Sequence, residues 1–306
     1  MDIVSVVIPT LDRPECLKRA LASVLSQQGL EDVALEIIVV DNSRQGSARA
    51  PVATLEGPIR LVHEPRPGVA NARNAGVDGA SGRWIAFLDD DEEASPHWLA
   101  SLITVARRSG ADAVFGPIEG RAEGGRAIGE FSAYFSRQLE RPDGADITSL
   151  YAYLGTNNSM FDRARCLRES FPFDVDLNES GGEDSLLILR LKQRGRRFAW
   201  AAEASVVEWA QPRRLNWAYV CKRKFASGQI RVFVRHMSSS RRWDVIVGWM
   251  TIGVAQFVVA GLAALALRAI DPNRSRRAQA AAFGGLGKVL WLRSFRPTLY
   301  GAGLVS

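Results

Sequence analysis

Five short β-branched runs punctuate the first 120 residues, and that punctuation restricts the chain to an α/β fold before any single residue is weighed. They are VSVVIPT (4–10), EIIVVDNS (36–43), RLVHEP (60–65), RWIAFLDDD (83–91) and ADAVFGPI (111–118). Between the first two, Pro14 to Gln28 sets Leu17, Leu21, Val24 and Leu25 at helical spacing, and Pro14 suits a first helical turn. Helices are also expected near 68–79 and 96–109. Such alternation builds a mostly parallel sheet with helices on both faces. Ligands of these sheets bind beyond the carboxyl ends of the strands, at a topological switch point. Thr10, Asp41 and Asp89 to Asp91 fall there.

Charge is divided unevenly along the 306 residues, whose formal net charge is +6. From Arg190 onward there are 21 Lys and Arg against four acids, Glu203, Glu208, Asp244 and Asp271. The preceding 189 residues carry 18 basic and 29 acidic side chains. The basic part also holds Val245 to Leu267, 23 residues without a charge, which is long enough to cross a hydrocarbon core as a helix. Arg241 and Arg242 precede it and Arg268, Arg274, Arg276 and Arg277 follow, so the flanks leave its orientation open. A weaker apolar stretch covers Ala278 to Leu292. Spanning and interfacial helices both fit this pattern. The basic half therefore points to an anionic membrane surface, and no nucleic-acid motif accompanies it. The expected division is a globular domain over 1–240 and a membrane-associated helical segment over 241–306. Cys16, Cys166 and Cys221 are far apart and odd in number, which fits a reducing compartment. His63, His97 and His236 are too scattered for a zinc site, and no basic leader of a signal peptide is seen.

Chemistry concentrates in two acidic segments. FLDDDE (87–92) ends an apolar strand in consecutive carboxylates, which repel and raise one another's pKa values. A hard divalent ion, Mg²⁺ or Mn²⁺, relieves this with one or two carboxylates and substrate phosphates. Strand alternation would put Asp89 and Asp91 on one face, while Asp90 points away or turns into the following loop. GGEDSLLILRLKQRG (181–195) starts an amphipathic helix with Glu183 and Asp184. These acids either cap the helix or supply a general base. Asp41 could accept from a ribose hydroxyl or a base N–H, or simply shape an Asp-Asn-Ser turn. Arg73, one turn into the helix opened by GVANARNAG (68–76), could bind diphosphate, brace the carboxylates or form a plain helix-start ion pair.

Taken in order, VSVVIPTLDRP, VVDNS, PGVANARNAG, FLDDDE, LGTNNSMFDR (154–163) and GGEDSLLILRL resemble the family 2 glycosyltransferases over roughly residues 3–235. The stretch VVEWAQPRRLNWAYVCKRKFASGQI is similar to bacterial exopolysaccharide glycosyltransferases of the succinoglycan type. The resemblance implies a GT-A (Rossmann-like) fold and an inverting, metal-dependent transferase. It assigns Pro9, Thr10 and Arg13 to the nucleotide pocket, with Arg73 and Asp90 beside it, and Asp41 to the base or ribose. Asp89 would reach ribose or metal, Asp91 would be the main metal ligand, and Asp184 would be the base with Glu183 supporting it. Asn157 and Asn158 would approach the transferred sugar or acceptor. Family members often carry a metal-ligating His near Glu208; this chain has none there, and Glu208 stands as the substitute candidate. The implied partners are a nucleotide-sugar donor, a UDP-sugar foremost, and a glycan or lipid-linked oligosaccharide acceptor. The implied place is the inner membrane, with the catalytic domain on its cytoplasmic face. A cluster of Arg213, Arg214, Lys222, Arg223, Lys224, Arg231 and Arg235 is expected to meet anionic head groups. Three rivals remain: a polyprenyl-phosphate glycosyltransferase, whose acceptor needs no base; a nucleotidyltransferase, which PTLDRP does not suit; and a non-catalytic scaffold.

Overall fold

A computed structural model describes residues 2–238 and 242–296. The expected domain division at 240/241, together with Arg241, lies outside the described residues. A seven-stranded sheet has the order β3-β2-β1-β4-β8-β6-β9. Its strands are β1 (Asp2–Thr10), β2 (Val33–Asp41), β3 (Ile59–His63), β4 (Trp84–Phe87), β6 (Ala113–Phe115), β8 (Ser159–Asp162) and β9 (Phe198–Trp200). All pairings are parallel except those of β8, which runs against both β4 and β6. A second sheet, β5-β10-β7, joins β5 (Glu92–Ala94), β10 (Val206–Ala210) and β7 (Ile118–Ala122).

The hydrophobic pattern explains the layering. In β1 both residue parities are apolar: Val4, Val6 and Ile8 face one core and Val7 faces the other, all without exposure. A strand buried on both faces needs this continuous run. The helices α1 (Pro14–Leu25) and α4 (Trp98–Ser109) cover the first face. The opposite face is covered by α3 (Val69–Gly79) and α7 (Glu183–Gln193). Three short helices, α2 (Arg49–Ala53), α5 (Ser132–Phe135) and α6 (Arg163–Cys166), fill connections.

Three longer helices follow: α8 (Trp217–Met237), α9 (Trp243–Leu267) and α10 (Pro272–Val289). Asn216 caps α8 by accepting from Tyr219 N, and Asp271 caps α10 by accepting from Arg274 N, both at 2.9 Å. Close approach fixes α10 against α9: a Cβ on Gly285 would lie 2.7 Å from Gly253 O and from Phe257 N. The second apolar stretch of the sequence is thus a helix packed on both α8 and α9. In contrast, α9 is 25 residues of high mean hydropathy with only Ile246 and Gly253 buried. It is the one helix among the described residues long and apolar enough to cross a membrane.

Candidate active site

A cleft of about 1100 Å³ opens at the carboxyl ends of β1, β2 and β4. Pro9, Thr10, Arg13, Arg73, Asp89, Asp90, Asp91, Glu183, Asp184 and Glu208 all line it. Chain segments up to 214 residues apart in sequence, from Pro9 to Arg223, meet here.

The acidic turn is the hinge between the two sheets. After Phe87 the chain leaves β4, turns at Asp90 and Asp91, and enters β5 of the small sheet. Strand alternation stops at that point, so Asp90 does not turn away. Instead Thr10 Oγ1 donates to Asp90 Oδ2 at 2.8 Å, and Arg13 Nη1 donates to Asp90 Oδ1 at 3.1 Å. The same Arg13 nitrogen reaches Asp91 Oδ2 at 3.4 Å. Burial, with Asp91 adjacent, pushes the Asp90 carboxyl up to about 7 against the opposing pull of Arg13. Behind the turn, fully enclosed Glu92 accepts from the Asp89 backbone N–H at 3.0 Å and from Asn157 Nδ2 at 3.2 Å. Its carboxyl is raised well above the usual range by burial and by Asp89.

Arg73 joins the two acidic segments and also lines the cleft. It pairs with Glu183 through Nη1 and with Asp89 through Nη2, the latter at 3.3 Å. Glu183 is buried, and burial with the neighbouring Asp184 charge lifts its carboxyl to about 7. Asp184 itself remains half-buried and faces the cleft. Two glycines make that placement possible. Gly182 begins α7 at φ 96°, a left-handed conformation packed on Ile230 and Phe233. A Cβ on Gly155 would come within 3.0 Å of Asp184 Oδ2 and 2.9 Å of Asn157 Oδ1.

Several expected roles are redistributed. Asp41 is not on the cleft: it is fully buried, and its oxygens accept Ser43 N at 3.0 Å and Ala48 N at 2.7 Å. A carboxylate at a strand end satisfies the amides of the loop it leads into. That loop then supplies Asn42, Arg44, Gln45 and Ser47 to the lining. Asn157 lines the cleft, whereas Asn158, at φ 47°, holds Trp98 Nε1, Pro117 O and Ala204 O inside the protein. The basic cluster expected at head groups is also divided. Lys222 and Arg223 line the cleft, Arg235 is buried, and Arg214 is drawn inside by Asp91 and Glu208.

Sequence reasoning passed over Glu92, Arg137 and the true position of Arg214. Half-buried Arg137 donates to Gly116 O at 3.0 Å, Asn157 O at 2.8 Å and Asn158 O at 2.9 Å, shaping the loop beside Asp184. Burial lowers its guanidinium to about 10. No local pattern marks these residues, because each takes a partner at least 20 residues away in sequence.

For a divalent ion, Asp89 and Asp91 offer two carboxylates at one cleft, a set that phosphate oxygens and water can complete. Glu208 is placed differently, since Arg214 stands between it and Asp91.

The sheet order and the acidic turn that leads from its central strand into the small sheet define a glycosyltransferase of the GT-A fold. Solved structures of that kind share it: a mannosyltransferase of Pyrobaculum calidifontis, in complex with GDP-Man and Mn²⁺, superposes at TM-score 0.61 over 94% of this chain and 87% of its own, at 20% identity. S. aureus TarS 1–349, in complex with UDP, gives 0.54 over 94% and 90%, at 16% identity. The chain belongs to glycosyl transferase family 2, whose model matches residues 5–166. Among its relatives, the succinoglycan biosynthesis protein ExoM of Rhizobium meliloti is 36% identical over 72% of this chain and 71% of ExoM. ExoO of the same organism is 31% identical over 67% of this chain and 60% of ExoO.

Proposed function

We propose that this glycosyltransferase is metal-dependent and inverting, and that it moves a sugar from a UDP-sugar to a hydroxyl of a lipid-linked glycan acceptor during exopolysaccharide or cell-surface polysaccharide synthesis. The observation that carries this reading is the meeting of two separate acidic groups, the 89–91 turn and Asp184, in one cleft. Relatives named for succinoglycan biosynthesis support the polymer class, and the UDP held by the TarS structure supports the nucleotide.

Each residue then has a task. The loop after Asp41, with Pro9, Thr10 and Arg13, receives the nucleotide. Asp91 with Asp89 would hold Mg²⁺ or Mn²⁺, which would supply Lewis-acid charge for the departing diphosphate. Asp184 accepts the proton of the acceptor hydroxyl as that oxygen attacks the anomeric carbon on the face opposite the leaving group. The configuration inverts and no covalent enzyme intermediate forms. Glu183 and Arg73 hold the two acidic groups in register, since Arg73 touches both Glu183 and Asp89. The catalytic domain, 1–240, sits at the cytoplasmic face of the inner membrane, and α9 within 241–306 anchors it.

Calorimetric titration of nucleoside diphosphates into the full chain, with Mn²⁺ and with EDTA, tests the reading. UDP should bind with Mn²⁺, and the Mn²⁺ dependence should vanish in Asp91→Ala. Equal affinity with and without metal would remove the metal assignment, and binding of another nucleotide in place of UDP would replace the donor.

A further inference from the structure

The side chain that faces Asp91 from the turn after β10 is an arginine. Arg214 is 7% exposed. Its Nη1 donates to Asp91 Oδ2 and its Nη2 to Glu208 Oε1, each at 2.8 Å. Its Nε donates to the Tyr219 hydroxyl at 3.1 Å. The guanidinium also lies 5.2 Å from the Phe135 ring centre and 5.7 Å from that of Tyr219.

The chain builds this arrangement deliberately. β10 pairs Glu208 opposite Glu92, and Trp209 N donates to Asp91 O at 2.9 Å, so Glu208 is carried to the acidic turn. The turn at Pro212–Arg214 then brings Arg214 back over the same strand. Two carboxylates this enclosed would be costly to hold without a cation, and a planar guanidinium bridges both at once.

We propose that Glu208 anchors Arg214 and does not ligate metal, and that Arg214 is the resident counter-cation of Asp91, competing there with a divalent ion. This rests on the metal-dependent reading above. Because Arg214 also lines the cleft, a diphosphate entering it offers the guanidinium new acceptors and lets it release Asp91. The metal site is therefore weak in the nucleotide-free protein and completed only with donor.

The charge-balanced double variant Arg214→Gln with Glu208→Gln removes one positive and one negative charge and leaves Asp91 only its longer contact with Arg13, at 3.4 Å. Mn²⁺ titrated calorimetrically into the nucleotide-free full chain should bind about tenfold tighter than to the wild type, since a charge-assisted bond no longer opposes it. Weaker binding would make Glu208 a ligand, and unchanged binding would mean that Arg214 does not compete; either overturns the proposal. If the double variant fails to fold by circular dichroism, Arg214→Gln alone, which removes the competing cation, is measured the same way; tighter Mn²⁺ binding is expected, and unchanged or weaker binding overturns the proposal. The wild-type UDP titrations with and without Mn²⁺ report separately on the metal-dependent function, so the two failures are distinguishable.

Discussion

Glu183→Gln gives a direct test of how the buried brace behind the base is balanced. Glu183 is 3% exposed and ion-paired with Arg73, yet burial and the Asp184 charge lift its carboxyl from the ordinary 4.5 to about 7. In the folded state it therefore keeps its proton through a window in which the unfolded chain has released it. Between about pH 4.5 and 7 the unfolded state binds fewer protons, so wild-type stability falls as pH rises. That rise corresponds to about 3 kcal/mol, present as a penalty above pH 7 and absent below pH 4.5. The Gln variant lacks this titration. Thermal unfolding of both proteins at steps from pH 5 to pH 8 should show the wild type losing ground to the variant by several degrees. A difference that stays constant, or that turns in favour of the wild type with rising pH, would refute the reasoning and leave the Arg73 pairing dominant over burial.

Asp184→Asn should retain Mn²⁺-dependent UDP binding and lose sugar transfer by about 10²- to 10⁴-fold, as expected for a missing general base. Near-normal turnover in a radiolabelled transfer assay would return this acid to helix capping. Val254→Arg with Val258→Arg, on the exposed face of α9, should abolish co-sedimentation with vesicles, each charge opposing insertion by about 3 kcal/mol at a helix centre. Continued sedimentation of the variant would move the anchor to another segment.

The local code of this chain is strong where hydrophobic period and turn chemistry act alone. Every expected run, 4–10, 36–43, 60–65, 83–91 and 111–118, overlaps a sheet strand, and helices stand at Pro14–Leu25, Val69–Gly79 and Trp98–Ser109. The acids of the two segments do reach one cleft, because strand ends and helix starts share the carboxyl edge of a parallel sheet. Which acid faces the cleft was another matter. Asp90 is brought in by a turn that interrupts alternation, and Asp41 is kept out by the amides of its own loop. The basic run after residue 210 reads as a surface from sequence, since no acid follows it before Asp244. Only the packing of β10 against the acidic turn supplies Arg214 with Asp91, 123 residues earlier, as its partner. Periodicity is a property of neighbouring residues and survives in one dimension. The pairing of buried charges depends on contacts across the fold, and tertiary structure alone decides it.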